Sequence, residues 1–246
     1  MSDDRNVMAD LFLTSFGPFL DVLDNASNRI AIRLMDMLQR HDAIEVVEHR
    51  LLEVSLAPVR SYFESLRTML RGKAQRLKES AHKRRIFLLH LGVHRGAHGE
   101  IRVESRGYNE AHFPSGDFSG LVLDHSPIVP GAATDAWVST PVDRGRIVEA
   151  LSTIKAGCSS VTAEAARVEP KLVVSDDAGR YLCNSCTFLS YSLAKEINEE
   201  APGSVLALFI HVLDPEREEC DGRLNPSCEA QAIAIFSFLT RLVKQI

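Results

Sequence analysis

The segment from Lys171 to Val212 constrains this chain more than any other. Lys171–Ser175 (KLVVS) is a short apolar run between polar turn residues, the pattern of a buried strand. Leu182, Cys186, Leu189, Leu193 and Ile197 then recur at helical spacing, and Pro202-Gly203 stops the helix they define. Ser204–Val212 (SVLALFIHV) is a second buried strand. Strand, helix and strand read as a βαβ crossover with parallel strands. That arrangement leaves Cys183 at a helix N-terminus and His211 at the C-terminal end of a strand. Both then lie on the sheet edge where open α/β folds place their ligands.

A thiol at a helix N-terminus meets unpaired backbone N–H groups and the positive end of the helix dipole, so it ionises more easily than a free one. The same N–H groups can hold the oxyanion formed when a thiolate attacks a carbonyl. Two other readings fit the cysteine alone. It can be a small buried hydrophobe, or Cys183 and Cys186 can form a C-x-x-C redox pair. The histidine closing the next strand favours the hydrolytic reading.

Strands alternate with helices along the rest of the chain, which implies a three-layer α/β/α sandwich with a largely parallel central sheet. At 246 residues, one well-buried α/β domain spanning 1–246 suffices. A net charge of −5 gives no reason to expect nucleic-acid binding. Basic residues concentrate at Arg67, Arg71, Lys73, Arg76, Lys78, Lys83, Arg84 and Arg85 without interleaved aromatics, so they read as a solvated helix face and its exit. No apolar run of about 20 residues is present and the N-terminus has no signal-peptide pattern, so no membrane association and a cytoplasmic location are expected. Five cysteines, an odd count, argue for reduced thiols over a disulfide scaffold.

Upstream, Leu11–Thr14 is a first strand, Ser15–Asp21 a turn-rich loop, and Asn25-Ala26-Ser27 the cap of a helix through Ile30, Leu34, Met37 and Leu38. Ile44–Ser55 reads as a bent strand and Ala57–Ser80 as a helix. Ile86–Val93 (IFLLHLGV) is the strongest central-strand candidate, followed by a Gly-rich loop and a short strand ending near Glu104. His90, His94 and His98 recur every four residues, but their Gly-rich, β-branched context is not helical, and no metal site is expected. Phe113–Gly131 is a long connector of the kind that forms lids or binding segments. Arg146–Ala156 is a helix with Ile147, Val148, Leu151 and Ile154 inward, and Glu229–Ile246 closes the chain as another.

A-G-R-Y-L-C-N at Ala178–Asn184, followed after one helix by F-I-H at Phe209–His211, resembles pyroglutamyl-peptidase I, a family of cysteine exopeptidases. T-S-F-G-P-F at Thr14–Phe19 with Asn25-Ala26-Ser27 resembles that family's opening motif T-G-F-x-P-F and N-x-S, with Ser15 in place of the usual glycine. The resemblance runs from about Leu11 to Val212. It implies a triad of Cys183, His211 and Glu104, with Asn109 five residues after the glutamate. It also implies that Phe16 and Phe19 sandwich the pyroglutamyl ring, that Asn25 supports their loop, and that the backbone at Gly92 and Val93 reads the lactam. Asp135–Val142, with the single tryptophan Trp137, resembles the family's short pocket-lining strand. Peptides with an N-terminal pyroglutamate are the implied partners, with no cofactor; oligomeric state stays open. A C-x-x-C thiol oxidoreductase and a non-catalytic pyroglutamyl-peptide-binding relative are the alternatives.

Overall fold

Apolar residues on both faces of the central strands dictate a sheet covered by helices on each side. In the computed structural model, which describes residues 8–19, 22–79, 84–94, 100–152, 167–218 and 222–245, that sheet has six strands. They are β1 (Ala9–Phe16), β2 (Ile44–Leu52), β3 (Arg85–His94), β4 (Glu100–Glu104), β9 (Lys171–Ser175) and β10 (Val205–Leu213), in the order β2-β1-β3-β10-β4-β9. Two ribbons lie outside it: β5 (Arg106–Tyr108) pairs with β8 (Trp137–Ser139), and β6 (Ala111–Phe113) with β7 (Leu123–Ser126). Among the described residues, five helices complete the elements: α1 (Ala26–Leu38), α2 (Leu56–Glu79), α3 (Arg144–Ser152), α4 (Leu182–Glu200) and α5 (Cys228–Gln245).

Strand periodicity sorts the core into two layers. Phe87, Leu89 and Leu91 of β3 and Leu206, Leu208, Ile210 and Val212 of β10 pack against α1, α3 and α5. The alternate residues, Ile86 and Leu88 of β3 and Val205, Ala207 and Phe209 of β10, pack against α2 and α4. Continuing the second set by twos leads to His90 and Gly92 on β3 and to His211 on β10. Opposite Phe209 and His211 in the ladder stand Glu104 and Arg102 of β4. A single sheet face, the one α4 covers, therefore carries the polar residues of the site.

The largely parallel sheet agrees with the sequence, but the expected βαβ crossover is not there. Strand β4 lies between β9 and β10, parallel to β9 and antiparallel to β10. Only five residues separate His94 from Glu100, whereas a parallel connection needs a dozen or more, so β4 must run back against β3 and β10. Cys183 reaches His211 by another route. Helix α4 runs antiparallel to β10, its end latched by Asn198, which exchanges hydrogen bonds of 2.8 and 3.0 Å with the backbone of Val205. That direction returns the start of α4 to the C-terminal end of β10.

One further expectation changes. Val148 is half exposed, with Ile147 and Ala150 forming the buried face of α3; Ile154 and His98 lie outside the described residues. The connector after Phe113 is an ordered excursion bounded by β6 and β7. Its tip is tied down by Asp117, whose carboxylate accepts from the backbone of Leu56, Ser119 and Leu121. Buried Asn109 closes the excursion at its base: its amide donates to the carbonyls of Val129, Ala132 and Ala133, and its Oδ1 accepts from Val129 N at 2.7 Å. The basic face of α2 is balanced by acids, with Arg67 and Arg71 on Glu196 and Lys73 on the buried Asp10. Among the described residues, no helix is long and apolar enough to cross a membrane.

Candidate active site

Glycine 179, at φ +77°, turns the chain after β9 so that α4 starts at Leu182. Tyr181 occupies the N-cap position without a side-chain capping bond, so the first-turn N–H groups keep their capacity to bind an anion. Asn184, fully buried one residue after the cysteine, fixes the helix start in place. Its Oδ1 accepts from Tyr108 N at 2.9 Å, and its amide donates to the carbonyls of Tyr108 and Glu110.

Cys183 is partly exposed and borders the cavity with His211, whose Nδ1 lies 2.7 Å from Oε1 of the fully buried Glu104. Burial alone would lower the His211 pKa; the charge and hydrogen bond of Cys183, then those of Glu104, outweigh it and push the imidazole up to about 9. The backbone of Glu104 is held as well: Tyr191 donates to its carbonyl at 2.6 Å and accepts from Phe209 N at 3.0 Å. Beneath the site, buried His90 bridges Thr14 at 2.8 Å and Ser190 at 2.7 Å, and burial pushes its pKa down to about 3, so it is a neutral strut joining β1, β3 and α4.

A cavity of about 600 Å³ opens over the cysteine. Phe16, Phe19, Asn25, Val93, Tyr181, Cys183 and His211 are among its walls. Phe16 is buried and Phe19 half-buried, with the Phe19 ring 5.3 Å from that of Tyr181. Their loop is held by Asn25, which donates to Gly17 O at 3.0 Å and accepts from Ser27, while Ser27 Oγ accepts from Phe16 N at 3.1 Å. Gly92 does not line the cavity but stands directly behind it. A Cβ at this position would fall 2.6 Å from Phe209 Cζ and 2.9 Å from Cys183 Sγ, so only glycine leaves the thiol its place.

The structure thus gathers Cys183, His211, Glu104, Phe16, Phe19, Asn25, Gly92 and Val93 into one region. Asp135–Val142 does not join them: β8 pairs with β5 beside the middle of α4, and Trp137 and Val138 line a separate hollow with Lys195, Asn198 and Glu199. Sequence reasoning missed two polar walls. His94 packs edge-on against His211 at 5.5 Å, and burial followed by the His211 charge pushes its pKa down to about 4. Arg102, two residues before Glu104 on one strand, lies on the same face by simple alternation, which was the signal available for it. Cys186 is fully buried in the α2–α4 layer, where burial raises its pKa well above the ordinary thiol value, a poor setting for a redox partner.

No protein-family model matches this sequence, and no curated protein matches it either. Among solved structures, the chain is similar to a pyrrolidone carboxyl peptidase from the thermophilic keratin-degrading bacterium Fervidobacterium islandicum AW-1. The TM-score is 0.68 at 24% identity, covering 96% of this chain and 99% of that one. It is also similar to a mutant pyrrolidone carboxyl peptidase from the hyperthermophile Pyrococcus furiosus, with a TM-score of 0.63 at 22% identity over 97% and 99% of the two chains. Over nearly its whole length, this chain has the fold of those peptidases.

Proposed function

We propose that this protein is a cysteine exopeptidase of the pyroglutamyl-peptidase I type, hydrolysing the amide bond after an N-terminal pyroglutamyl residue. The observation that carries the reading is Cys183 beside His211, itself hydrogen-bonded to Glu104, on a cavity walled by Phe16 and Phe19. His211 takes the proton of Cys183, giving a thiolate and an imidazolium whose charge Glu104 offsets. The thiolate attacks the pyroglutamyl carbonyl, the backbone N–H at Cys183 stabilises the oxyanion, and His211 protonates the departing amine. Water, giving its proton to His211, then splits the thioester and releases pyroglutamate. An N-terminal lactam has no ammonium charge, so two phenylalanine rings suit it where an ordinary aminopeptidase would need a carboxylate. The backbone at Val93, on the cavity wall, reads the lactam's polar edge.

The test is release of a reporter amine from a pyroglutamyl amide, beside the prolyl and glutamyl amides, by reduced wild type and by Cys183→Ala. Selective release that disappears in the variant supports nucleophile and pocket together. Folded, reduced wild type that releases nothing would defeat the reading. Cys186→Ser separates it from thiol–disulfide exchange, because hydrolysis needs only Cys183.

A further inference from the structure

Outside the cavity, the β6–β7 ribbon holds a group of side chains that the peptidase chemistry does not use. Ala111 pairs with Ser126 and Phe113 with Leu123, so one residue on β6, His112, faces two on β7, Asp124 and His125. This is a β-bulge, and a bulge cancels the usual alternation of side chains between faces. His125 accommodates it at φ 41°, a left-handed conformation uncommon outside glycine but one that histidine, like asparagine and aspartate, adopts more readily than most residues. The outcome is two imidazoles stacked at 4.3 Å with a carboxylate beside them.

We infer that His112, Asp124 and His125 form a binding site for a divalent transition-metal ion of the zinc class. One candidate ligand atom from each residue lies within 4.8 Å of the others. His112 Nδ1 is 3.1 Å from Asp124 Oδ1, and His125 Nε2 is 3.9 Å from the same oxygen. Ligands about 2.0–2.1 Å from a tetrahedral zinc ion stand roughly 3.4 Å from one another, so these two separations bracket the required edge. His112 Nδ1 is shielded from solvent and, despite its nearness to Asp124, makes no hydrogen bond; an ion between them would satisfy both. His125 Nδ1 meets Glu110 Oε1 at 2.5 Å, which fixes the ring and leaves Nε2 to ligate, the carboxylate–histidine–metal arrangement. Glu110 is itself oriented by Arg180 Nε at 2.6 Å. Two imidazoles and one carboxylate select zinc and its neighbours over calcium or magnesium. Three protein ligands leave a fourth position for water.

The experiment uses the full-length reduced chain carrying Cys183→Ala, which removes the thiol of the candidate active site as a competing ligand. Zinc is titrated by calorimetry and cobalt by its visible absorption. One zinc ion per chain is expected, with a cobalt spectrum that saturates at one equivalent. His112→Asn, Asp124→Asn and His125→Asn should each abolish the spectrum, and asparagine at 125 tolerates the positive φ. Glu110→Gln should weaken zinc binding by about 10–100-fold while leaving the stoichiometry intact. Thermal unfolding identifies which variants are folded, and the exposed Asp124 substitution gives the answer should a histidine variant fail. No zinc binding, or binding that survives these substitutions in folded protein, overturns the inference.

Discussion

Replacing Gly92 with alanine tests how tightly the thiol is seated. The added Cβ would stand 2.6 Å from Phe209 Cζ, while carbon atoms rest at about 3.5–4.0 Å, so the ring must yield by roughly 1 Å. Phe209 has little room, being fully buried with the His90 and His211 rings 6.4 and 4.8 Å away. Overpacking of this kind costs about 1–3 kcal/mol, which for a chain of this size lowers the melting temperature by about 2–4 °C per kcal/mol. Cys183 Sγ, 2.9 Å from the new methyl group, is the freer neighbour because it borders the cavity. It should rotate away from His211, and a misplacement of about 1 Å costs about 100-fold in rate. Thermal unfolding, kcat/KM on a pyroglutamyl amide and the rate of Cys183 alkylation by iodoacetamide read the three consequences separately. A variant with wild-type melting temperature, alkylation rate and turnover would refute the argument.

Glu104→Gln removes the partner that helps His211 hold its proton, so the alkaline limb of kcat/KM should move down from about pH 9; an unmoved limb would mean that the carboxylate does not tune the base. Because the folded His211 pKa lies above its unfolded value of about 6.5, its contribution to stability is complete below that pH and lost as pH rises through about 9. Denaturant unfolding between pH 6 and 10 (roughly the range of both values) should show that decline, and Cys183→Ala should flatten it. Phe16→Ala should destabilise the fold by about 3–5 kcal/mol, whereas Phe19→Ala, truncating a half-buried ring at the cavity wall, should chiefly raise KM. Asn184→Ala deletes three hydrogen bonds at about 1 kcal/mol each, measurable by denaturant unfolding, and should slow turnover by loosening the start of α4.

What could be read from the sequence depended on periodicity. Cys183 and His211 each end or begin a long patterned segment, and the alternation in β10 alone places His211 on the face that α4 covers. The opening loop was legible because Asn25 and Ser27 are capping residues whose role is local. The direction of β4 was not, because it is set by the length of a connection and by which strands happen to flank it. Arg102 and His94 escaped for a related cause: alternation puts a polar strand residue on a face without saying whether that face meets a cavity or solvent. The apposition of His112 with His125 depends on a register shift of one residue, which no composition or spacing rule anticipates. Trp137 was misplaced because its strand belongs to a ribbon outside the main sheet.

Asn109 has a consequence for how such a chain can change over time. Its side chain binds the returning chain at residues 129, 132 and 133, so the two ends of the excursion are clasped together at its base. Lengthening a loop whose ends are already clasped costs only about 0.6 kcal/mol per doubling. Insertions between β6 and β7 can therefore refashion the rim above Cys183 at little entropic cost, whereas exchanges at Glu110, whose carbonyl holds Asn184, or at Asp117, which holds Leu56, reach the site itself.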